Sequence, residues 1–241
     1  MSFITGSNPV SLSVSGILMI TLHHLNDSRS QRIIWLLEEL GVDYEIKRYE
    51  RDPKTNLAPD SLKAIHPLGK SPVITDGGKT IAESAVIINY LIRNYGAEKG
   101  FLPEEGSKAA DQAEYWLHFA EGSMMPYLVM TLVFEKVKTS PMPFFARPIA
   151  KAIAGQVMKT FIGPNVQRNL AFVNDHLSRH SWFAGDQMSG ADFQMIFPLE
   201  AAINRSGAAA QLPAIKSWVD KVHALDTYKT ALEKGGPYSY A

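Results

Sequence analysis

Gly69-Lys70-Ser71-Pro72-Val73-Ile74-Thr75-Asp76-Gly77-Gly78-Lys79-Thr80-Ile81-Ala82-Glu83-Ser84 is the stretch whose reading decides the fold. Pro72 has no N–H and suits the first position of a strand. Asp76-Gly77-Gly78 tolerates the positive φ that a tight hairpin needs. Ile81-Ala82 follows as a short second strand. Glu83-Ser84 then stands before Ala85-Val86-Ile87-Ile88-Asn89-Tyr90-Leu91-Ile92, an apolar run long enough for a buried helix. A hydroxyl at a helix start either satisfies free backbone N–H groups or helps to hold a carboxylate there. On spacing alone the stretch is a hairpin followed by a capped helix.

Working upstream, Ile17 to Leu22 is apolar and β-branched and predicts a strand. His23-His24-Leu25-Asn26-Asp27-Ser28 reads as a polar turn. Ser30 to Leu40 carries apolar residues at helical spacing, with Gly41 where a C-terminal glycine cap belongs. Tyr44 to Tyr49 alternates as a strand does. A polar stretch, Glu50 to Asn56, leads to a short helix expected from Pro59 to Ile65. His66-Pro67-Leu68-Gly69 then returns the chain to the opening stretch. Strand, helix, strand, helix, strand, strand, helix is the order of a thioredoxin-like α/β domain with a mixed sheet. The first strand-to-helix junction faces a helix N-terminus, where backbone N–H groups and the dipole favour an anion. His23 and His24 are neighbours on a strand and point to opposite faces, so they are poor joint ligands. No acidic or histidine cluster completes a site, and a metal centre is not expected.

Composition narrows the function classes. The chain has 241 residues, 46% of them hydrophobic, enough for a sizeable core in one large or two small domains. Lys plus Arg and Asp plus Glu are equal at 24 each, so charge gives no case for nucleic acid or an anionic membrane. There is no cysteine, which excludes disulfides, thiolate metal sites and a cysteine nucleophile. Residues 1–18 read as a disordered extension or vector remnant, with Met19 a natural start; the segment has no signal-peptide pattern. No apolar run is long enough to span a bilayer, and a cytoplasmic protein is the expectation.

The order of X-Pro before a strand, a hairpin, and Glu-Ser at a helix start resembles the glutathione site of the glutathione S-transferase family. His66-Pro67-Leu68-Gly69-Lys70-Ser71-Pro72 is closest in wording to its bacterial and yeast-like branch. The resemblance runs from Met19 to about Ala231. It implies that Pro72 follows a cis peptide and that Ser71 offers its backbone to the cysteinyl part of glutathione. It implies that Glu83 and Ser84 bind the γ-glutamyl end, with Lys70 near the glycyl end or the glutathione backbone. Lys54 is a further, looser candidate for the glycyl carboxylate, and His66 is expected to be structural or to stand near the site without chemistry. In the serine-type transferases the catalytic serine stands four residues before an arginine of the first helix, the offset of Ser28 from Arg32. A hydroxyl there can donate to sulfur and lower the thiol pKa, because bonding to the charged form favours it. Ser30 competes for that role but also reads as a helix N-cap, and Asn26 is a third possible donor.

The resemblance places the first domain at 19–97 and a linker at 98–107, which is rich in glycine and charge. From 108 to 241 the pattern is helical. Gly122 and Pro126 suggest a bend in a helix running to about Val133, and Ile149 to Ile162 and Val166 to Leu177 predict two more helices. Ser189-Gly190-Ala191-Asp192 reads as a capping box, with aspartate in the last position, before an apolar helix. The expected architecture is a thioredoxin-like α/β domain followed by an all-α domain that supplies the pocket for a hydrophobic electrophile. Tyr115, Trp116, Phe119, Met124, Met125 and Tyr127 are its candidate lining, although such a stripe also describes a core. The family also implies a homodimer. Two functions stay open: an enzyme joining the glutathione thiolate to electrophiles, with reduction of hydroperoxides as a related activity, or a non-catalytic glutathione-binding regulator or carrier.

Overall fold

The computed structural model describes residues 19–206 and 211–240; the extension expected at 1–18 lies outside them. β1 (Ile20–Leu25) runs further than the sequence pattern suggests and holds both histidines in the strand. The expected turn is displaced because each ring finds a buried partner. His23 Nδ1 lies 2.9 Å from the Tyr49 hydroxyl, and His24 Nδ1 lies 2.8 Å from Ser30 Oγ. Hydrogen bonding lets a polar ring stay in the interior. Burial pushes both imidazoles down, His24 to about 4, so both are neutral near pH 7.

α1 (Gln31–Leu40) ends at Gly41, whose φ of 69° is the left-handed cap. The helix carries the chain over the sheet to β2 (Tyr44–Tyr49), which lies parallel to β1. A short α2 (Asp60–Lys63) precedes β3 (Val73–Asp76) and β4 (Lys79–Ala82). β3 runs antiparallel to β1, and the sheet order is β2-β1-β3-β4. The hairpin is closed by Gly77 and Gly78, both at positive φ, and Asp76 pairs with Lys79 in register. Its second strand takes in Lys79 and Thr80 beyond the expected Ile81-Ala82. α3 (Ser84–Tyr95) follows. Asp76 accepts hydrogen bonds from the Tyr90 and Tyr95 hydroxyls at 2.8 and 2.5 Å, fixing α3 to the hairpin.

The second half is helical. α4 (Lys108–Phe119) passes through a π-helical turn, Ala120–Met124, into α5 (Met125–Thr139). α6 (Ala146–Val157) passes through a second, Met158–Ile162, into α7 (Gly163–Leu177), so the two expected helices are one interrupted rod. Each π turn ends two residues before a proline, Pro126 or Pro164. Proline lacks the N–H for an α-helical bond and its ring crowds the carbonyl four residues back; a wider turn relieves both.

α8 (Gly190–Ser206), α9 (Pro213–His223) and α10 (Asp226–Gly235) complete the domain. At the start of α8 the Asp192 carboxylate accepts the Ser189 N–H at 2.8 Å, the Ser189 hydroxyl at 3.1 Å and the Phe183 N–H at 2.9 Å. This is half of a capping box: the serine hydroxyl donates to the carboxylate instead of accepting from the helix. Burial still pushes Asp192 up to about 7. Trp35 of α1 packs on Phe193 of α8 and Tyr228 of α10, with ring centroids 4.5 and 5.7 Å apart, and so joins the two halves.

Candidate active site

The loop from β1 into α1 builds the first part of the site. Ser28 is buried, and its Oγ accepts the Ser30 N–H at 3.2 Å. Ser28 Oγ and Ser30 Oγ are 2.7 Å apart, and Ser30 Oγ continues to His24 Nδ1. The capping role expected of Ser30 thus passes to Ser28. Ser30 already has helical dihedrals, φ −67° and ψ −20°, and makes no cap bond; a capping side chain needs an extended backbone. The free N–H at the helix start is met by Ser28 instead. Asn26 has its Oδ1 committed to the Arg51 N–H at 3.0 Å.

The opening stretch builds the second part. The Ser71–Pro72 peptide is cis. The Ser71 hydroxyl donates to the His23 carbonyl at 2.9 Å and accepts the Leu25 N–H at 3.2 Å. It is thereby spent on holding the loop to β1, and contact with a ligand is left to the Ser71 backbone. Glu83 has φ 71° and ψ 122°, a left-handed conformation unusual for a side-chain-bearing residue and costly unless its surroundings hold it. The Glu83 carboxylate is exposed, and neither it nor the Ser84 hydroxyl is paired within the described residues.

Two cavities meet here. The first, about 500 Å³, is lined by Pro72, Glu83, Ser84, Glu121 and Gln194 among others. The second, about 520 Å³, is lined by Asn26, Asp27, Ser28, Met125 and Phe197 among others. Arg29, Leu68, Lys70 and Ser71 border both. Ser28, Lys70, Ser71, Pro72, Glu83 and Ser84 each border one cavity or the other, with Ser28 on the second and the Glu83-Ser84 pair on the first. His66 borders the first cavity. Lys54 lines neither; Arg51 and Lys63 stand on the second cavity instead. Of the aromatic and methionine candidates, Met125 alone lines either cavity, while Trp116, Phe119 and Met124 are core.

Sequence reasoning missed the node that joins the cavities. Glu121, in the first π turn, accepts Arg29 Nε at 2.8 and 3.0 Å and Arg32 at 2.5 Å. The Arg32 guanidinium is fully buried and also donates to the Gln194 carbonyl. Burial alone would raise the Glu121 carboxyl, but Arg32 and Arg29 together hold it below the usual carboxylate range. The offset of Arg32 from Ser28 thus has a physical content: the arginine ties the start of α1 to the first π turn and to α8. Glu121 itself carries no local signal beyond the Gly122 and Pro126 that flag its turn.

The same two halves are found when the chain is compared with known proteins. The family model of the glutathione S-transferase N-terminal domain matches residues 18–93, and that of the C-terminal domain matches residues 163–226. Glutathione S-transferase 3 of Schizosaccharomyces pombe is 38% identical over 90% of this chain and 88% of its own. Glutathione S-transferase 1 of Saccharomyces cerevisiae is 35% identical over 90% of this chain and 95% of its own. A crystal structure of a glutathione S-transferase from Actinobacillus pleuropneumoniae superposes with a TM-score of 0.72 at 34% identity, covering 90% of this chain and 93% of that one. Identity of this order over nearly the whole length, in both halves and on the same fold, means that the chain belongs to the glutathione S-transferase family.

Proposed function

We propose that this protein is a glutathione transferase that joins the glutathione thiolate to hydrophobic electrophiles. The observation that carries the reading is the pair Glu83 and Ser84: a carboxylate and a hydroxyl without protein partners, held at a helix start and aimed into a cavity edged by Ser71. Glu83 pairs with the γ-glutamyl ammonium. The Ser84 hydroxyl and the helix N-terminus receive the γ-glutamyl carboxylate. The Ser71 backbone, set beside Pro72, pairs with the cysteinyl backbone, and Lys70 approaches the glycyl end. The unit 19–97 holds glutathione, 98–107 is the linker, and 108–241 supplies the electrophile pocket.

Ser28 activates the thiol. Its Oγ accepts from the Ser30 N–H, so its own proton can be given to sulfur provided that Ser30 points its proton at Ser28. That orientation needs His24 to carry its proton on Nδ1. The opposite tautomer, directed at the Gly235 backbone, leaves Ser30 donating to His24 and draws the Ser28 proton inward. The thiol proton leaves to solvent, the thiolate sulfur attacks the electrophilic carbon, and the leaving group departs with the bonding pair. With a hydroperoxide the thiolate attacks the terminal oxygen and alkoxide leaves, giving a glutathione sulfenic acid, whose hydroxyl a second glutathione thiol displaces as water to form the disulfide; the cysteine-free chain offers no thiol of its own.

A homodimer located in the cytoplasm completes the proposal. Exposed Val86 on α3 and Tyr115 on α4 are apolar positions available to a two-fold interface, and no described helix is long and apolar enough to cross a membrane. The deciding experiment uses glutathione and a generic chlorinated aromatic. Glutathione should raise the melting temperature of the wild type and do so less for Glu83→Ala, and the wild type should conjugate the aromatic. Equal thermal shifts reject the role of Glu83; binding without turnover supports a carrier or regulator.

A further inference from the structure

Met125, Val129, Leu132 and Lys136 stand at i, i+4, i+7 and i+11 of α5, one face of the helix, and all four line the second cavity. The first three are apolar and the last is a cation. From Met125 to Lys136 the stripe spans about 16 Å. The cavity as a whole is unusually basic for a chain of zero formal net charge: Arg29, Arg51, Lys63, Lys70 and Lys136 line it with the single carboxylate of Asp27.

Most of these charges are committed. Asp27 accepts the Ser239 N–H at 2.8 Å and its hydroxyl at 3.1 Å. Arg29 is held by Glu121, and Lys63 pairs with Asp60 at 2.7 Å. The Arg51 guanidinium is spread over the carbonyls of Asn26, Asp27 and Asn56. Lys70 borders both cavities and belongs to the glutathione end. Glu135, the acidic neighbour of Lys136 in the chain, is paired with Lys138 at 2.5 Å. The Lys136 ammonium has no partner among the described residues. It is an uncommitted cation at the far end of an apolar wall.

We propose that Lys136 determines substrate specificity by selecting electrophiles whose apolar body ends in an anionic group, a carboxylate foremost. This rests on the transferase reading above. The apolar body lies along Met125, Val129 and Leu132, the reactive carbon stays at the Ser28 end, and the carboxylate reaches Lys136. A neutral electrophile of the same length packs equally well on the wall but gains nothing from the ammonium.

The test uses two probes that differ only at that end. Each has a conjugated enal at one terminus of a saturated chain long enough to cover the ~16 Å stripe; one ends in a carboxylate, the other in its methyl ester. The thiolate forms a C–S bond at the β-carbon, and the resulting enolate takes a proton from water. The wild type should favour the carboxylate in kcat/KM. Lys136→Gln should lower the carboxylate value about twofold to fivefold, the range of an exposed ion pair, and leave the ester unchanged. Lys136→Glu should reverse the preference. Added salt should erode the preference of the wild type and not that of Lys136→Gln. An unchanged carboxylate-to-ester ratio in Lys136→Gln overturns the proposal. Turnover of the neutral chlorinated aromatic reports separately on the transferase reading. Should neither enal be turned over, equilibrium binding of dodecanoate and its methyl ester, with glutathione present, gives the same ratio. A ratio equal in wild type and Lys136→Gln is again the overturning result.

Discussion

The two cavities share a border, but the groups that the proposal assigns to glutathione in each are held on opposite plans. In the first, Glu83 and Ser84 keep their side chains free of the protein and are aimed by the backbone alone. In the second, Ser28 is tied into a chain of hydroxyls ending at His24, Asp27 is bonded to Ser239 of the C-terminal tail, and Arg51 is bonded to the carbonyls of Asn26 and Asp27. A free group meets its ligand without breaking anything, which suits recognition of one fixed molecule. A networked group changes its proton arrangement when the ligand arrives, which suits control of a thiol. The contrast predicts that binding and activation are separable by mutation.

The severest way to break the contrast is to remove the post between the cavities. Glu121→Ala leaves Arg32 buried without its counter-ion and should cost about 3–5 kcal/mol in chemical denaturation. A loss below about 1 kcal/mol would mean that solvent already satisfies Arg32.

Acidity probes the networked side. His24 is held down to about 4 by burial, with the Arg48 charge adding to it, against an unfolded value of 6.5. Its contribution to stability is therefore present above pH 6.5 and is lost as pH falls through 4. The loss is on the order of 3 kcal/mol, and the denaturation curve of His24→Asn should be flatter across that window. Asp192, raised to about 7, works in the other sense: its contribution is present below its unfolded value of 3.8 and is lost as pH rises through 7. The difference between wild type and His24→Asn cancels the Asp192 part.

Ser28→Ala should separate activation from binding. The pKa of bound glutathione should rise, and turnover should fall on the order of tenfold to a hundredfold, since a hydrogen bond to a charged group is worth roughly 1.5–3 kcal/mol. Thiolate absorbance follows the shift, and the deficit should shrink at high pH, where ionisation no longer needs help. Ser30→Ala should give a smaller shift in the same direction, because it cuts the link to His24. If Ser30→Ala shifts the thiol and Ser28→Ala does not, the two roles are reversed. The smallest effect belongs to the free side. Glu83→Gly relieves a positive φ and should stabilise the unliganded protein by up to about 1 kcal/mol while weakening glutathione. A destabilised Glu83→Gly would show that the carboxylate has a structural partner after all.

Much of the α/β half was legible because its signals are local. Gly77 and Gly78 at the hairpin, Gly41 at the end of α1 and the polar pair opening α3 each act within a few residues of themselves. The end of β1 was not, because burial of His23 and His24 depends on Tyr49, Thr75 and Ser30. That Ser28 and not Ser30 meets the free N–H turns on one residue being helical one position early, which composition does not encode. Glu121 was invisible for a stronger reason: its partners lie about ninety residues away, across the domain interface. Lys54 lines neither cavity; its loop closes on Asp52, which accepts the Lys54 and Thr55 N–H groups, a local closure that composition does not reveal.

The π turn at Ala120–Met124 also sets where this chain tolerates a change of length. A π turn holds one residue more than the α-helical path it replaces. Deleting Gly122, whose missing side chain faces open space, returns that turn to ordinary winding, at the cost of restoring the crowding at Pro126 that the wider turn relieves. Met125, Val129, Leu132 and Lys136 would then keep their heading. A deletion a few residues later, within α5, has no slack to absorb it and would rotate everything beyond by about 100°, carrying Lys136 off the cavity wall. The bulge is thus an expansion joint: the one stretch of this rod where a residue can be lost without re-aiming the pocket.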